Sequence, residues 1–422
     1  MKMILKLAIF PFAACTWVNA QVVPAATGPG GPLVSGNFKY SARYSQTALF
    51  YGANNGGNQV SSITSGEVEY IHPNSRLPFN LDYSGGYMKA ISGEGLGTGV
   101  FQRLAISQGI IHRRWSLMAS DGVSYTPEAP TTGFSGIPGT GEPIGGTGTS
   151  SPSGESILTL NTRVLSNSAT VAVAHQLNYA TALTVGGGSQ LLRFPDGNGM
   201  NSDGQDVIAG ITRRIDARNS ISAQYAYLHF SFGASAYSDG ISGSFGSSSV
   251  SAEYTRTWTR RLKTDVAIGP QWTDGSDNAL VPPTTGLMVR AQASYGFRAE
   301  SVGVTYNHGI NGTTGYVAAA TVDSVLAAFS RTFGRQVTLG ATGAYTRTQP
   351  LQNIGGLTDA RFGGVQVSQR WGRYLTAFSS YTAVDQSSGL SGSTPQTNIL
   401  NELYQVISFG VSFSPRQARL GQ

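Results

Sequence analysis

This chain of 422 residues has little charge and almost no sulfur. Only 12% of it is Asp, Glu, Lys or Arg, and cysteine occurs once. That cysteine is Cys15, inside an amino-terminal segment that reads as a leader. The mature chain then has neither a disulfide nor a thiol nucleophile. Past the leader no apolar run reaches the ~20 residues of a membrane helix. No 3.6-residue hydrophobic period is sustained, which argues against a helical bundle. No His, Asp and Glu cluster has metal-ligand spacing, so no resident metal or cofactor is expected.

What is abundant is glycine, 55 residues of it, with 19 tyrosines and 18 phenylalanines. Lys2 and Lys6 precede an apolar stretch from Leu7 to Ala14, and Val18-Asn19-Ala20 forms a small-residue cleavage site. Residues 1–20 therefore read as a secretory signal peptide. Cys15 after Phe12-Ala13-Ala14 also resembles a lipoprotein cleavage box, which leaves lipidation open. Residues 21–36 are rich in Pro and Gly and read as a flexible lead-in, 37–414 as the folded body and 415–422 as a short tail.

A repeated signature organises the body. An aromatic or aliphatic strand end is followed by an Arg-bearing turn and a new alternating run. Glu253–Leu262, Ala328–Val337 and Val367–Leu375 are clear copies, and Ile211–Arg218 and Ser294–Glu300 are looser ones. They recur at roughly the ~40 residues of two long strands with their connections. A β-propeller shares that period but needs four short strands per repeat and a Gly-His…Trp-Asp signature, which is missing here.

Within the runs polarity alternates with period two. Val302, Val304, Tyr306, His308 and Ile310 alternate with Ser301, Gly303, Thr305, Asn307 and Gly309. The pattern predicts strands near 37–51, 61–72, 77–90, 99–112, 115–126, 157–176, 181–194, 206–215, 220–232, 247–258, 262–273, 287–297, 301–311, 321–333, 337–349, 361–371, 375–386 and 403–414. Long Gly-, Asn- and Asp-rich loops alternate with short Arg-bearing turns. Arg113, Arg213, Arg260, Arg335 and Arg373 sit at the short turns, and Glu128, Asp196, Asp203 and Asp277 at or near the long loops. A nucleic-acid binder gathers its basic residues on one face. Here they form a rim, suited to anionic lipid head groups on one side of a bilayer. The fold class expected is all-β: a closed antiparallel transmembrane β-barrel of about 18 strands.

With this pattern the chain resembles Gram-negative outer-membrane β-barrel proteins of porin size. The resemblance implies a location in the bacterial outer membrane. It implies as partners outer-membrane lipid, the barrel-assembly machinery, small hydrophilic solutes and a homo-trimer, with no nucleic acid. It implies passive or weakly selective passage of those solutes and no catalysis. Exopolysaccharide export, or a structural barrel with a closed lumen, are the alternatives. Such barrels end on an aromatic read during assembly, and Tyr404–Phe413 resembles that final strand, with Phe413 as the signal aromatic. The string His308-Gly-Ile-Asn-Gly312 lacks the serine of phospholipase-type barrels, so that activity is not carried over.

The polar register places Lys39, Arg43, Glu67, Glu69, Asp82 and Arg103 on the inner face of the first strands. Further round, Arg163, Glu253, Lys263, Asp265 and Arg290 also fall inward. Rows of such charges set ion preference in channels, though they also pair across strands simply to fill a wall. The longest loop, 127–153, is a candidate to fold into the lumen.

A chain free of cysteine after the leader allows a clean topology test. In intact cells an impermeant thiol reagent should label Asp203→Cys and spare Arg335→Cys. The reverse pattern would invert the orientation.

Overall fold

The computed structural model describes residues 36–51, 58–72, 76–92, 98–127, 163–197, 199–235, 238, 240–276, 280–297, 299–312, 315–334, 336–352, 356–389, 403–415 and 418–420. The signal peptide, nearly all of the lead-in and the 127–153 loop beyond Pro127 lie outside them. The wall runs through β1 (Gly36–Tyr51), β2 (Gln59–His72), β3 (Phe79–Ser92), β4 (Gly99–His112), β5 (Trp115–Pro127) and β6 (Arg163–Gln176). It continues through β7 (Thr181–Arg193), β8 (Ser202–Arg214), β9 (Asn219–Phe232), β10 (Gly243–Thr257), β11 (Leu262–Ser276) and β12 (Thr284–Phe297). It finishes with β13 (Glu300–Gly312), β14 (Ala319–Phe333), β15 (Val337–Pro350), β16 (Thr358–Trp371), β17 (Leu375–Ser388) and β18 (Leu403–Phe413). Each strand pairs antiparallel with its sequence neighbour, and β1 also pairs with β18 from Ala42↔Phe413 to Tyr51↔Tyr404, closing the ring.

Closure satisfies every ladder that a lipid environment cannot hydrate. Strands of about 14 residues, rising ~3.4 Å per residue at a tilt of ~40°, stand roughly 36 Å tall. That exceeds the ~25 Å apolar band, so both strand ends reach the head-group zones.

The two faces follow the expected alternation. In β1, Tyr40 and Tyr44 are exposed on the outside, while Ser45, Thr47 and Leu49 are buried on the inside. At the short-turn end the outer rim carries Trp115, Trp258, Phe333 and Trp371, all exposed. The Arg signature has a direct role there. Arg256 stacks on Trp258 (3.9 Å) and Arg261 on Phe297 (3.8 Å). Cations held on aromatic faces fix side chains at the lipid–water boundary.

The short turns share a second device. The side-chain oxygens of Asn178, Asp216 and Thr259 each accept the backbone N–H groups two and three residues on. This is the local competition with the ladder that favours these residues in turns. Hydrogen bonds from the Asn219 side chain and the Arg218 backbone hold Asp216 below the usual carboxylate range.

Some boundaries differ from expectation. β8 and β10 begin at Ser202 and Gly243, four residues earlier than the alternation suggested, because Ser202-Asp-Gly and Gly243-Ser-Phe-Gly carry turn-type residues within strands. The tail is not wholly free. Ala418–Leu420 forms β19, which pairs with Gly36–Phe38 and continues the line of β18 along β1 after a break. Pro415, which has no N–H to donate, falls in that break.

An outward acid interrupts the alternation at mid-strand. Asp121 lies mid-strand in β5, opposite Ile106, in the same register as Trp115, Leu117 and Val123. It is 5% exposed, accepts a 2.7 Å hydrogen bond from Asn167 and leaves Oδ2 without a partner. An unmatched buried polar group costs ~1–3 kcal/mol. Asn167→Leu alone should therefore lower stability by about that amount. Adding Asp121→Leu should restore at least the parent value. Urea unfolding from phospholipid vesicles measures both, and a double variant as weak as the single would refute this account.

Candidate functional site

The barrel interior divides into two zones. The half nearest the short turns is charged. Lys39 lies opposite Glu69 and bonds it at 2.6 Å, and Arg43 reaches Glu67 diagonally at 2.6 Å. Asp82 follows Glu69 on the next strand, and Arg103 follows Glu67 by way of Ser84. A second group occupies β10 to β12. Arg290 bonds Glu253 at 3.0 Å and stands 3.9 Å from Asp265, and Lys263 shares their face. In the strand order β10 stands half a ring from β1. The two groups therefore face each other across the interior. Each balances its charges: Lys39, Arg43 and Arg103 against Glu67, Glu69 and Asp82, and Lys263 and Arg290 against Glu253 and Asp265.

Arg163 is a correction. It sits on the outward register of β6, shared with Leu165 and Val171, and its Nε lies 3.3 Å from Asp196 in the long loop after β7. The expectation had placed it on the inner face. His308 also faces outward, as its register implied, with Nδ1 2.6 Å from Asp323. His175 stacks on Trp115 at 4.1 Å. Among the described residues no group of three His, Cys, Asp or Glu side chains could hold a metal ion.

In the half nearest the long loops inward side chains are largely buried, with apolar clusters beside uncharged polar residues such as Gln59, Thr348 and Gln386. Leu49, Ile63, Met88, Phe101, Phe362, Val384, Tyr404 and Val406 pack into one cluster that joins β1–β4 to β16–β18 across the seam of the ring. Opposite it the connection after β13 folds inward. β12 pairs with β13 only from Val289 to Phe297, so the top of β13 parts from the wall. Gln271 on the inner face of β11 takes over there, accepting from the Ile310 N–H (2.8 Å) and donating to the Ile310 carbonyl (2.7 Å). One side-chain amide thus replaces a neighbouring strand at that residue.

The displaced tip reaches the far wall. Tyr316, Val317, Ala320 and Val322 pack with Phe194 and with Val164 of β6. Tyr316 meets Phe194 edge-on at 5.6 Å. Ala318 and Ala319 join Met200, Phe230, Phe232, Phe245, Leu280 and Val281. Backbone bonds add Met200 N–H to the Gly315 carbonyl (2.6 Å) and Leu351 N–H to the Ala319 carbonyl (2.9 Å). Gly315 has φ +84 and lies against the Phe194 ring, so both its backbone and its missing side chain are needed. This inward hairpin, and Gln271 with it, escaped the sequence reading. The only available sign was an apolar string, Tyr316-Val-Ala-Ala-Ala320, where a polar loop was expected.

No protein-family model matches the chain, and no curated protein matches it. Solved structures do. Pseudomonas aeruginosa OccK2 (OpdF) is similar at a TM-score of 0.47 and 11% identity, over 90% of this chain and 97% of that one. It is also known in complex with glucuronate. Acinetobacter baumannii OccAB2 gives 0.46 and 6%, over 91% and 98%. The FrpB iron transporter of Neisseria meningitidis gives 0.45 and 8%, over 89% and 81%. The barrel assignment itself rests on the closed pairing of this chain.

If the hairpin tip narrows the mouth, loosening its anchor should widen it. Tyr316→Ala and Phe194→Ala should each raise single-channel conductance in planar bilayers, with β-barrel circular dichroism unchanged. Conductance equal to the parent in both would separate this contact from the path.

Proposed function

We propose that the protein is an outer-membrane channel for small hydrophilic solutes, with a passage narrowed at its long-loop mouth. The carrying observation is the pair of charged, internally balanced groups that face each other inside a closed barrel. An interior meant only as a structural core would not hold ionisable side chains at such cost. Half-buried ion pairs of this kind add little net stability, because desolvation offsets their attraction. In a confined, low-dielectric passage the same charges act strongly on a passing solute. Equal numbers of each sign suit neutral or zwitterionic solutes, with weak ion preference.

The same reading carries its setting. The signal peptide takes the chain across the inner membrane and is cleaved. The long loops face outward and the Arg-bearing turns face the periplasm. The assembly machinery reads the last strand through Phe413, which lies outward, paired with Ala42 and Leu375 and 6.2 Å from Tyr374. Trimers of the barrel and a non-enzymatic role complete the proposal.

Planar-bilayer recording tests it. The purified barrel should give ohmic conductance with a reversal potential close to zero in a salt gradient. Replacing Arg43 and Arg103 by Ala leaves acids in excess on one wall, and the reversal potential should move toward cation preference. Thermal stability should hardly change. A parent barrel without conductance would support the closed structural reading instead. An unaltered reversal potential in a conducting variant would remove these residues from the constriction.

A further inference from the structure

The wall parts between β12 and β13. These strands pair from Val289↔His308 to Phe297↔Glu300, and both continue beyond that ladder toward the long loops. β12 runs on to Thr284, held only by β11 from Gly269↔Met288 to Thr273↔Thr284. β13 runs on to Gly312, held by β14 from Gly309↔Val322 to Gly312↔Ala319. Carried on, the register would set Leu287 against Ile310. Instead Ile310 is 5% exposed and lies behind the wall. Its Cδ1 is 3.6 Å from the place a β-carbon on the inward-facing Gly286 would occupy.

The split lies at the upper margin of the apolar band. Trp272 of β11 shares the outward register of Val266 and Ile268 and stands opposite Thr285, where interfacial aromatics sit. Leu287, two residues deeper, is exposed on the outer face. Residues 285–288 make up ~10 Å of wall at ~3.4 Å per residue and a tilt of ~40°. Among the described residues no backbone hydrogen bond joins them to a strand other than β11. A bare strand edge cannot face hydrocarbon, and backbone left open at this depth must line a wet cavity. The split is therefore a slot that joins the interior to the head-group level of the membrane. What lies behind it is apolar above and charged below. The Phe230 ring fills the place of the side chain that Gly312 lacks, and it stacks on Phe245 at 5.5 Å. Arg290, two residues below Met288 on the same inner face, is bonded to Glu253 at 3.0 Å.

We infer that the split between β12 and β13 is a lateral portal, through which a single-chain amphipathic molecule with a zwitterionic head passes between the leaflet at the long-loop end and the barrel interior. A water-soluble solute needs no opening in the side of the wall. An amphipath does, because its tail must stay in apolar surroundings throughout. Leu287 and Ile310 offer these at the slot, and Phe230 and Phe245 offer them inside. The balanced charges below accept a head that carries both signs. The inner edge of the slot is held by the two Gln271 bonds to Ile310 (2.8 and 2.7 Å). A tail therefore passes by releasing one side-chain amide rather than a strand ladder. The portal follows from the split wall and does not depend on conduction through the barrel.

Photolabelling of the full-length barrel in phospholipid vesicles tests the inference, with dodecyl phosphocholine bearing a diazirine at the tail end as the probe. In the parent, mass spectrometry should find label on Phe230 or Phe245 inside the ring as well as on Leu287 at the slot. Gly286→Leu sets a side chain against Ile310 and should abolish the interior label, while the exposed, lipid-facing Val207 stays labelled. Ile310→Ala shortens the plug and should increase the interior label. Heat-modifiable mobility reports folding, and Leu287→Trp closes the slot from outside if Gly286→Leu folds poorly. Label confined to lipid-facing residues in the parent would overturn the portal. So would interior label that survives both closing variants, since the probe then enters through an end of the barrel. A barrel that is labelled inside but does not conduct keeps the portal and loses the channel. One that conducts without interior label does the reverse.

Discussion

The hydrocarbon layer offers the backbone no hydrogen-bond partner, and the rest of this molecule follows from that. Every N–H and C=O at membrane depth must find its mate in the chain. A sheet of this size meets the requirement only by joining its first strand to its last. The β1–β18 ladder does so over ten residue pairs, from Ala42↔Phe413 to Tyr51↔Tyr404. Pro415 interrupts that line, yet β19 resumes it against the first residues of β1. Once the ring is closed, alternation sends half of the side chains to lipid and half to the interior. The chemistry of each half is then set by what surrounds it.

The same requirement explains the inward hairpin. Where the top of β13 parts from β12, its backbone groups at Ile310 would be orphaned. Gln271 answers both with one amide. The detour is stabilised by apolar contact, since Tyr316 to Ala320 are all fully or nearly fully buried against loops and strands across the ring. The interior is thus graded: paired charges near the short turns, apolar clusters with uncharged polar side chains near the long loops. Passage requires the lower zone to remain wet and the upper zone to yield. The outer wall is graded too. Aromatics capped by Arg stand at one rim, and at the other rim charges of opposite sign lie across from one another, as Arg347 does from Asp323 and Asp359.

Strand number, order and face were legible in the sequence because period two leaves only two faces to choose between. Val302 to Tyr306 needed no partner to be read as a lipid-facing stripe, whereas Ile310, of the same parity, is buried where β13 leaves the wall. Lys39, Arg43, Glu67, Glu69, Asp82 and Arg103 followed from the same parity, as did Glu253, Lys263, Asp265 and Arg290. The rim of Arg and aromatics was legible because each turn repeats it locally. Arg163 was misplaced because Val164 and Leu165, adjacent and both apolar, leave the local alternation ambiguous.

The tertiary structure alone decided the rest, because it depends on contacts between distant strands. That the two charged groups face each other is a property of ring order, with β10 half a turn from β1. That Arg43 pairs with Glu67 rather than with its direct neighbour Ser65 is set by stagger and side-chain reach. That Tyr316 meets Phe194 joins segments more than a hundred residues apart. Local sequence determines the period and polarity of each strand, since these act over a few residues. Closure, stagger and the folding of a loop into the ring are settled only when all the strands are in place.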